Sequence, residues 1–143
     1  MGKIAVSACL LGENCKYNGG NNKNDAILKL LEGKEVIPVC PEVAGGLPTP
    51  RVPVELVHGV AINKEGVNVD ANFHAGVERM LEKLAGEDVE LVILQPRSPS
   101  CGVKQIYDGT FTGTLTGGSG MFAKAVMERG YRVVEPEELE EIH

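Results

Sequence analysis

The chain has 143 residues, enough to build a self-sufficient core, and reads as one domain over residues 1–143. Its formal charge of −6 argues against a general nucleic-acid binder, which needs clustered Lys and Arg to meet phosphates, and leaves room only for a local basic pocket. No apolar run is long enough to span a membrane, and the four cysteines read as free thiols or metal ligands of a cytoplasmic protein rather than as two disulfides.

The first segment, Lys3 to Leu11, has a faint look of a secretion signal, with Val6-Ser7-Ala8-Cys9 placed like a lipoprotein cleavage box. Too few apolar residues precede Cys9 for that. Lys3 to Ala8 reads instead as a first buried strand. The loop from Cys9 to Asn24 is rich in Gly and Asn, and Asn18-Gly19-Gly20 signals a turn. Asn24 or Asp25 can cap a short helix running to Glu32 and stopping at Gly33. A second strand, Val36 to Val39, ends at Cys40. Cys40 to Arg51 then reads as a long, stiff loop held by Pro41, Pro48 and Pro50.

Val54 to Asn63 followed by Gly66 to Val69 suggests a small hairpin. Asp70 is placed to cap a helix over Ala71 to Leu84, whose Val77, Met80, Leu81 and Leu84 fall on one stripe. A third strand covers Leu91 to Leu94. After Arg97-Ser98-Pro99-Ser100-Cys101-Gly102, the Asp108-Gly109 pair signals another turn. Thr116 to Gly120 opens a helix from Met121 to Arg129, closed by Gly130. A last strand, Tyr131 to Val134, and an acidic helix from Pro136 complete the chain. Strands alternating with helices predict an α/β fold, a three-layer Rossmann-like arrangement with a mainly parallel sheet and a small β-hairpin insertion.

Cys9, Cys40 and Cys101 each lie just beyond a predicted strand, where open α/β sheets bind their ligands. Together they could hold an iron–sulfur cluster or a zinc ion, or supply one reactive thiol with helpers. They could also be small core residues, since free Cys is often buried. No C-x-x-C pair is present, so the usual ferredoxin and zinc-finger patterns are absent. Three ligands rather than four would leave one iron of a 4Fe–4S cluster open, a Lewis acid suited to a sulfur-bearing guest. Glu42, two residues past Cys40, could serve as general acid or base, or it could be a solvated carboxylate or a partner for Arg51. Ser98 and Ser100 could donate hydrogen bonds or pass protons, or simply form a turn. Cys15, with no strand before it, reads as a spare thiol or a fourth ligand in a resting state. Thr116 to Gly120 could cradle an anion, although a plain turn explains it as well. His58, His74 and His143 have no paired spacing and receive no role.

Three motifs then stand together: Ser7-Ala8-Cys9-Leu10-Leu11-Gly12, Cys40-Pro41-Glu42-Val43 with Gly45-Gly46-Leu47-Pro48-Thr49-Pro50-Arg51, and Arg97-Ser98-Pro99-Ser100-Cys101-Gly102. With Ile106-Tyr107-Asp108-Gly109 and the glycines near Gly117, they resemble a bacterial and archaeal family long called a domain of unknown function. That family includes the iron–sulfur-dependent thiouracil desulfurases. The resemblance covers nearly the whole chain. It implies a 4Fe–4S cluster on Cys9, Cys40 and Cys101, one that aerobic purification can strip. It also implies acid–base roles for Glu42 and Ser98, with Ser100 shaping the pocket. The implied reaction is a non-redox desulfidation of a thiolated pyrimidine base, nucleoside or nucleotide, in which water replaces sulfur and sulfide leaves. Two departures stand out: Cys15 is not a ligand in the family, and Gln95 occupies a position where Lys often precedes the Ser-Pro-Ser-Cys motif. The rival readings are a non-enzymatic iron–sulfur or metal-binding module for sulfur trafficking or sensing, and a zinc- or thiol-dependent hydrolase.

Overall fold

The structure, a computed structural model, describes residues 2–140. Its centre is a four-stranded parallel sheet in the order β2-β1-β5-β8. The strands are β1 (Lys3–Ser7), β2 (Val36–Val39), β5 (Val89–Ile93) and β8 (Val133–Val134). Two antiparallel hairpins lie outside it, β3 (Val54–Val57) with β4 (Val60–Asn63) and β6 (Gln105–Tyr107) with β7 (Leu115–Gly117). The helices are α1 (Asp25–Leu30), α2 (Pro41–Ala44), α3 (Asp70–Leu84), α4 (Met121–Glu128) and α5 (Pro136–Glu140).

Strand side chains alternate between faces, and that alternation makes the layers. Ile4, Val6 and Ile93 pack with Ile27, Leu31 and Leu139 on the α1 and α5 side. Ala5, Val92 and Leu94 pack with Val77, Leu81, Leu84, Phe122 and Val126 on the α3 and α4 side. Both faces are therefore apolar, as a covered parallel sheet requires. Each fully buried Leu, Ile, Val or Phe contributes about 1.5–3 kcal/mol relative to exposure. Met80 packs against the α3 side of the core beside the three buried members of the predicted stripe.

Several local expectations change. Strand β1 ends at Ser7, and Ala8–Leu11 forms a 3-10 turn closed by left-handed Gly12 (φ 101°). Asn24 is the cap of α1; its Oδ1 accepts from Ile27 N at 3.0 Å. Asp70 caps nothing: it lies inside α3 and accepts from Ala61 N at 2.9 Å, which staples the hairpin β3–β4 to the helix. The expected first strand is itself a hairpin that turns at His58-Gly59, and the chain turns again between Asn63 and Gly66, where Ile62 bridges Asn68 antiparallel. The stretch expected as a stiff loop contains α2, with Pro41 at its first turn, where a missing N–H costs nothing.

Helix α2 stays because it lies flush against α3. A Cβ on Gly76 would sit 1.8 Å from the Pro41 carbonyl oxygen, and one on Gly45 would sit 2.0 Å from that of Asn72. Only glycine permits this approach, and Asn72 Nδ2 seals it with a 2.9 Å hydrogen bond to the Gly45 carbonyl. Among the described residues, no helix is long and apolar enough to cross a membrane.

Candidate functional site

The register of the sheet sets the site. Ser7 pairs with Val39, and Val6 with Ile93, so the carboxyl ends of β1, β2 and β5 finish level. Strand β1 lies between the other two, and the chain leaves it in opposite directions to form them. Such a reversal opens a crevice outside the strand ends. A cavity of about 490 Å³ lies there, ample for a small heterocycle. Its lining includes Cys9, Cys40, Cys101, Glu42, Ser98 and Ser100, so the expected cluster ligands and proton-transfer residues all reach one chamber.

The thiols differ in setting. Cys101 is buried (6% exposed), and burial pushes its thiol up to about 12. Cys9 and Cys40 are half-buried. A hydrogen bond from Cys15 brings the Cys9 thiol down to about 7, helped by the Asn22 amide, whose Nδ2 lies 3.5 Å from the sulfur. The same donor lowers Cys40, and the Val43 backbone amide in the first turn of α2 adds to it. Cys15 is correspondingly held above the ordinary thiol range, because its proton serves both neighbours. Among the described residues, no three His, Cys, Asp or Glu side chains are arranged to hold a single metal ion.

A chain of hydroxyls ends on a carboxylate. Ser98 Oγ accepts from the backbone amides of Ser100 (3.1 Å) and Cys101 (3.0 Å), which uses both of its lone pairs. Its own proton therefore points along the 2.9 Å contact to Ser100 Oγ. Ser100 Oγ passes its proton toward Glu42 Oε2 at 2.8 Å. The other carboxylate oxygen, Oε1, accepts from Arg51 Nε at 3.2 Å in a pair whose side chains are only 6% (Arg51) and 13% (Glu42) exposed. The order Ser98, Ser100, Glu42, Arg51 is thus fixed by counting donors and acceptors.

The Ser98–Cys101 segment is rigid for a further reason. Met121 N donates to the Pro99 carbonyl (2.9 Å), and Phe122 N (2.9 Å) and Ala123 N (3.1 Å) both donate to the Ser100 carbonyl. The first turn of α4 holds this motif, so the amides behind Thr116 to Gly120 are occupied by backbone and cradle no anion. Gly120 is needed there, since a Cβ would lie 2.5 Å from the Ser100 carbonyl carbon.

Three side chains were underread. Ser7, the last residue of β1 and 2% exposed, accepts from Gln95 N at 3.0 Å and also hydrogen-bonds the Cys101 thiol. Its signal was a hydroxyl where a buried strand meets a cysteine. Arg51 was treated only as a possible partner of Glu42. It also reaches the Cys15 carbonyl at 2.9 Å and Thr49 Oγ1 at 3.1 Å. Cys15 itself was placed in a loop without strand context. Arg97, Lys16 and Arg51 line the chamber with positive charge, and Arg97 holds a left-handed backbone (φ 68°), uncommon for a residue with a side chain. His58 sits at a hairpin turn (φ 51°) and His74 pairs with Asp70 at 3.0 Å; both lie outside the chamber lining. His143 lies outside the described residues.

Comparison with known proteins gives the same direction. The chain is 36% identical, over 149 aligned positions, to the uncharacterized protein YbbK of Bacillus subtilis (strain 168), with 97% of this chain and 99% of YbbK covered. It is similar to the solved structure of the 4Fe–4S-dependent thiouracil desulfidase TudS, at a TM-score of 0.92 and 37% identity, with 99% of this chain and 95% of that one covered. The family model described as 2-thiouracil desulfurase matches residues 4–138. With a site built from the same three motifs that suggested the kinship, the chain belongs to the 2-thiouracil desulfurase family.

Proposed function

We propose that this protein is a non-redox desulfidase that removes sulfur from a thiolated pyrimidine, as the free base, nucleoside or nucleotide, and releases it as sulfide. The observation that carries this reading is the meeting of Cys9, Cys40 and Cys101 in one chamber whose wall holds the Ser98–Ser100–Glu42 chain. Family membership supports an enzyme of this class. Four free cysteines fit a reducing compartment, and we place the protein in the cytoplasm.

The donor set fits a 4Fe–4S cluster. Cys9, Cys40 and Cys101 would hold it, and the thiolates of a cluster bind different irons, so they need not converge on one point. When bound, such a cluster supplies an iron with affinity for sulfur and Lewis acidity at the thiocarbonyl. Loading requires the Cys101 thiol to release its proton, which burial otherwise retains.

The chain's own groups do the proton work. A thiocarbonyl carbon exchanges sulfur for the oxygen of water; the carbon–sulfur bond breaks, a carbon–oxygen bond forms, and no electrons are gained or lost. The two water protons leave with the sulfide. Glu42 takes a proton from the attacking water, while Arg51 holds its other oxygen and fixes the carboxylate plane. The Ser98 and Ser100 hydroxyls both point toward that carboxylate, so they form the path by which the proton reaches Glu42, which then gives it up to the departing sulfide.

Anaerobic reconstitution tests the reading. The loaded protein should show iron, acid-labile sulfide and broad charge-transfer absorption, and should release sulfide from 2- or 4-thiouracil, or from a 4-thiouridine nucleoside or nucleotide. A fully loaded protein that releases none from any of these substrates would overturn the enzymatic reading and favour a sulfur-trafficking or sensing module.

A further inference from the structure

We infer that Cys15 is a displaceable fourth ligand, closing the corner of the cluster that Cys9, Cys40 and Cys101 leave open in the resting protein. The inference rests on the cluster proposed above and adds a residue that its ligand set does not contain. All four cysteines line the same chamber. The Cys15 thiol lies near enough to Cys9 and Cys40 to act on both, and those two in turn act on Cys101. Cys101 is buried, whereas Cys15, like Cys9 and Cys40, is half-buried and faces the open part of the chamber.

The loop is held where this requires. Asn22 N returns to the Cys9 carbonyl at 2.9 Å, so the loop closes back on the strand end from which it leaves. Arg51 Nη2 grips the Cys15 carbonyl at 2.9 Å, and Arg51 N donates to the Tyr17 carbonyl at 2.6 Å. The backbone of Cys15 is thus tied to the residue that orients Glu42. Cys9 lies in the 3-10 turn after β1, Cys40 directly precedes α2, and Cys101 sits in a turn held by the first residues of α4, whereas Cys15 sits in a loop with left-handed Gly12 and Gly19 on either side. A ligand on such a loop can leave without disturbing the sheet.

The exchange balances simply. On substrate binding, one iron–sulfur bond to Cys15 would break and one to the substrate sulfur would form. Cys15 departs as a thiolate with its electron pair and takes a proton from solvent, with no change in oxidation state. A cluster with four thiolates is also the ordinary 4Fe–4S arrangement, so a closed corner would protect the resting cofactor.

The experiment uses protein reconstituted anaerobically with iron-57, with iron content measured first. Mössbauer spectra of the resting parent should show four equivalent sulfur-ligated sites. Cys15→Ala should keep its iron and show one distinct site in every four. In parallel, Cys15 in the loaded parent should resist iodoacetamide and should be alkylated at least about tenfold faster on adding excess thiouracil, which would release it as a thiolate. A loaded parent that already shows the distinct site, with Cys15 alkylation unchanged by thiouracil, overturns the inference and leaves the cluster standing. A parent that takes up no iron overturns both, and the first measurement tells the two failures apart.

Discussion

Ser100 Oγ donates a 2.8 Å hydrogen bond to Glu42 Oε2, joining residues 58 apart in sequence. The contact sits where β2 and β5 end, and it depends on two packing events elsewhere. Gly45 and Gly76 bring α2 onto α3 and so place Glu42. The first turn of α4 holds the Ser100 carbonyl and so places Ser100. The alignment of this hydrogen-bonded chain is therefore a property of helix packing as much as of the motif residues.

If Ser98 and Ser100 act as one relay, their losses are not additive. Ser98→Ala and Ser100→Ala should each lower single-turnover sulfide release by about tenfold to a hundredfold. The double variant should fall within about threefold of the slower single. Multiplicative losses would show two independent contributions and no relay.

Arg51 positions rather than reacts. Its guanidinium reaches Glu42 Oε1, Thr49 Oγ1 and the carbonyls of Pro48 and Cys15, a spread that an ammonium group cannot reproduce. Arg51→Lys should keep the charge and the iron, lower kcat by about tenfold, and leave KM within about threefold. A change confined to KM would mean that Arg51 contacts substrate instead of aligning Glu42.

Gly76→Ala should test the packing directly. In an exposed helix interior the change stabilises by about 1 kcal/mol. Here the new methyl would overlap the Pro41 carbonyl oxygen, and overpacking costs about 1–3 kcal/mol or more. The second effect wins, so Tm should fall by at least about 3 °C. Glu78→Ala, at an exposed position of the same helix, should leave Tm within about 2 °C. A Gly76→Ala protein as stable as the parent would mean that α2 shifts freely.

Strand positions and the three strand-end cysteines were legible because both depend on local pattern. Apolar runs mark buried parallel strands, and a sheet with level ends gathers whatever follows them. Glu42 was legible through its distance from Cys40. Helix α2 was not, because four proline-led residues carry no helical period and are held by α3, far along the chain. Cys15 was not placed either. Its position follows from Arg51, 36 residues downstream, and from a loop closing on Cys9, neither of which periodicity reports. At Thr116–Gly120 sequence shows that a helix begins and favours a plain turn over an anion cradle, but not that the helix amides hold Pro99 and Ser100.

Cys101→Ser should lose most of its iron on reconstitution, since the buried position admits no substitute thiol. Far-ultraviolet circular dichroism should stay near that of the parent, because serine is smaller and Ser7 and Ser100 lie beside it to accept its hydroxyl. Iron retained at parent level in a folded Cys101→Ser protein would remove Cys101 from the ligand set.

Glu42→Gln separates chemistry from assembly. The carboxylate lies two residues beyond Cys40 on the first turn of α2, and both of its oxygens are engaged by Arg51 and Ser100. Glutamine keeps the length and the planar end group. It can still accept from Ser100 or from Arg51, but its amide cannot take a proton from water. Iron content and the absorption spectrum should therefore match the parent. Thiouracil binding should largely survive, because the chamber lining is otherwise unchanged. Turnover should fall by at least about a hundredfold, the lower end of what general acid–base catalysis contributes. That corresponds to roughly 3 kcal/mol of barrier at ~1.4 kcal/mol per decade. Single-turnover sulfide release under anaerobic conditions, with iron measured on the same sample, decides it. Full iron with turnover near the parent's would return Glu42 to a structural partner of Arg51 and move the proton transfer to another group.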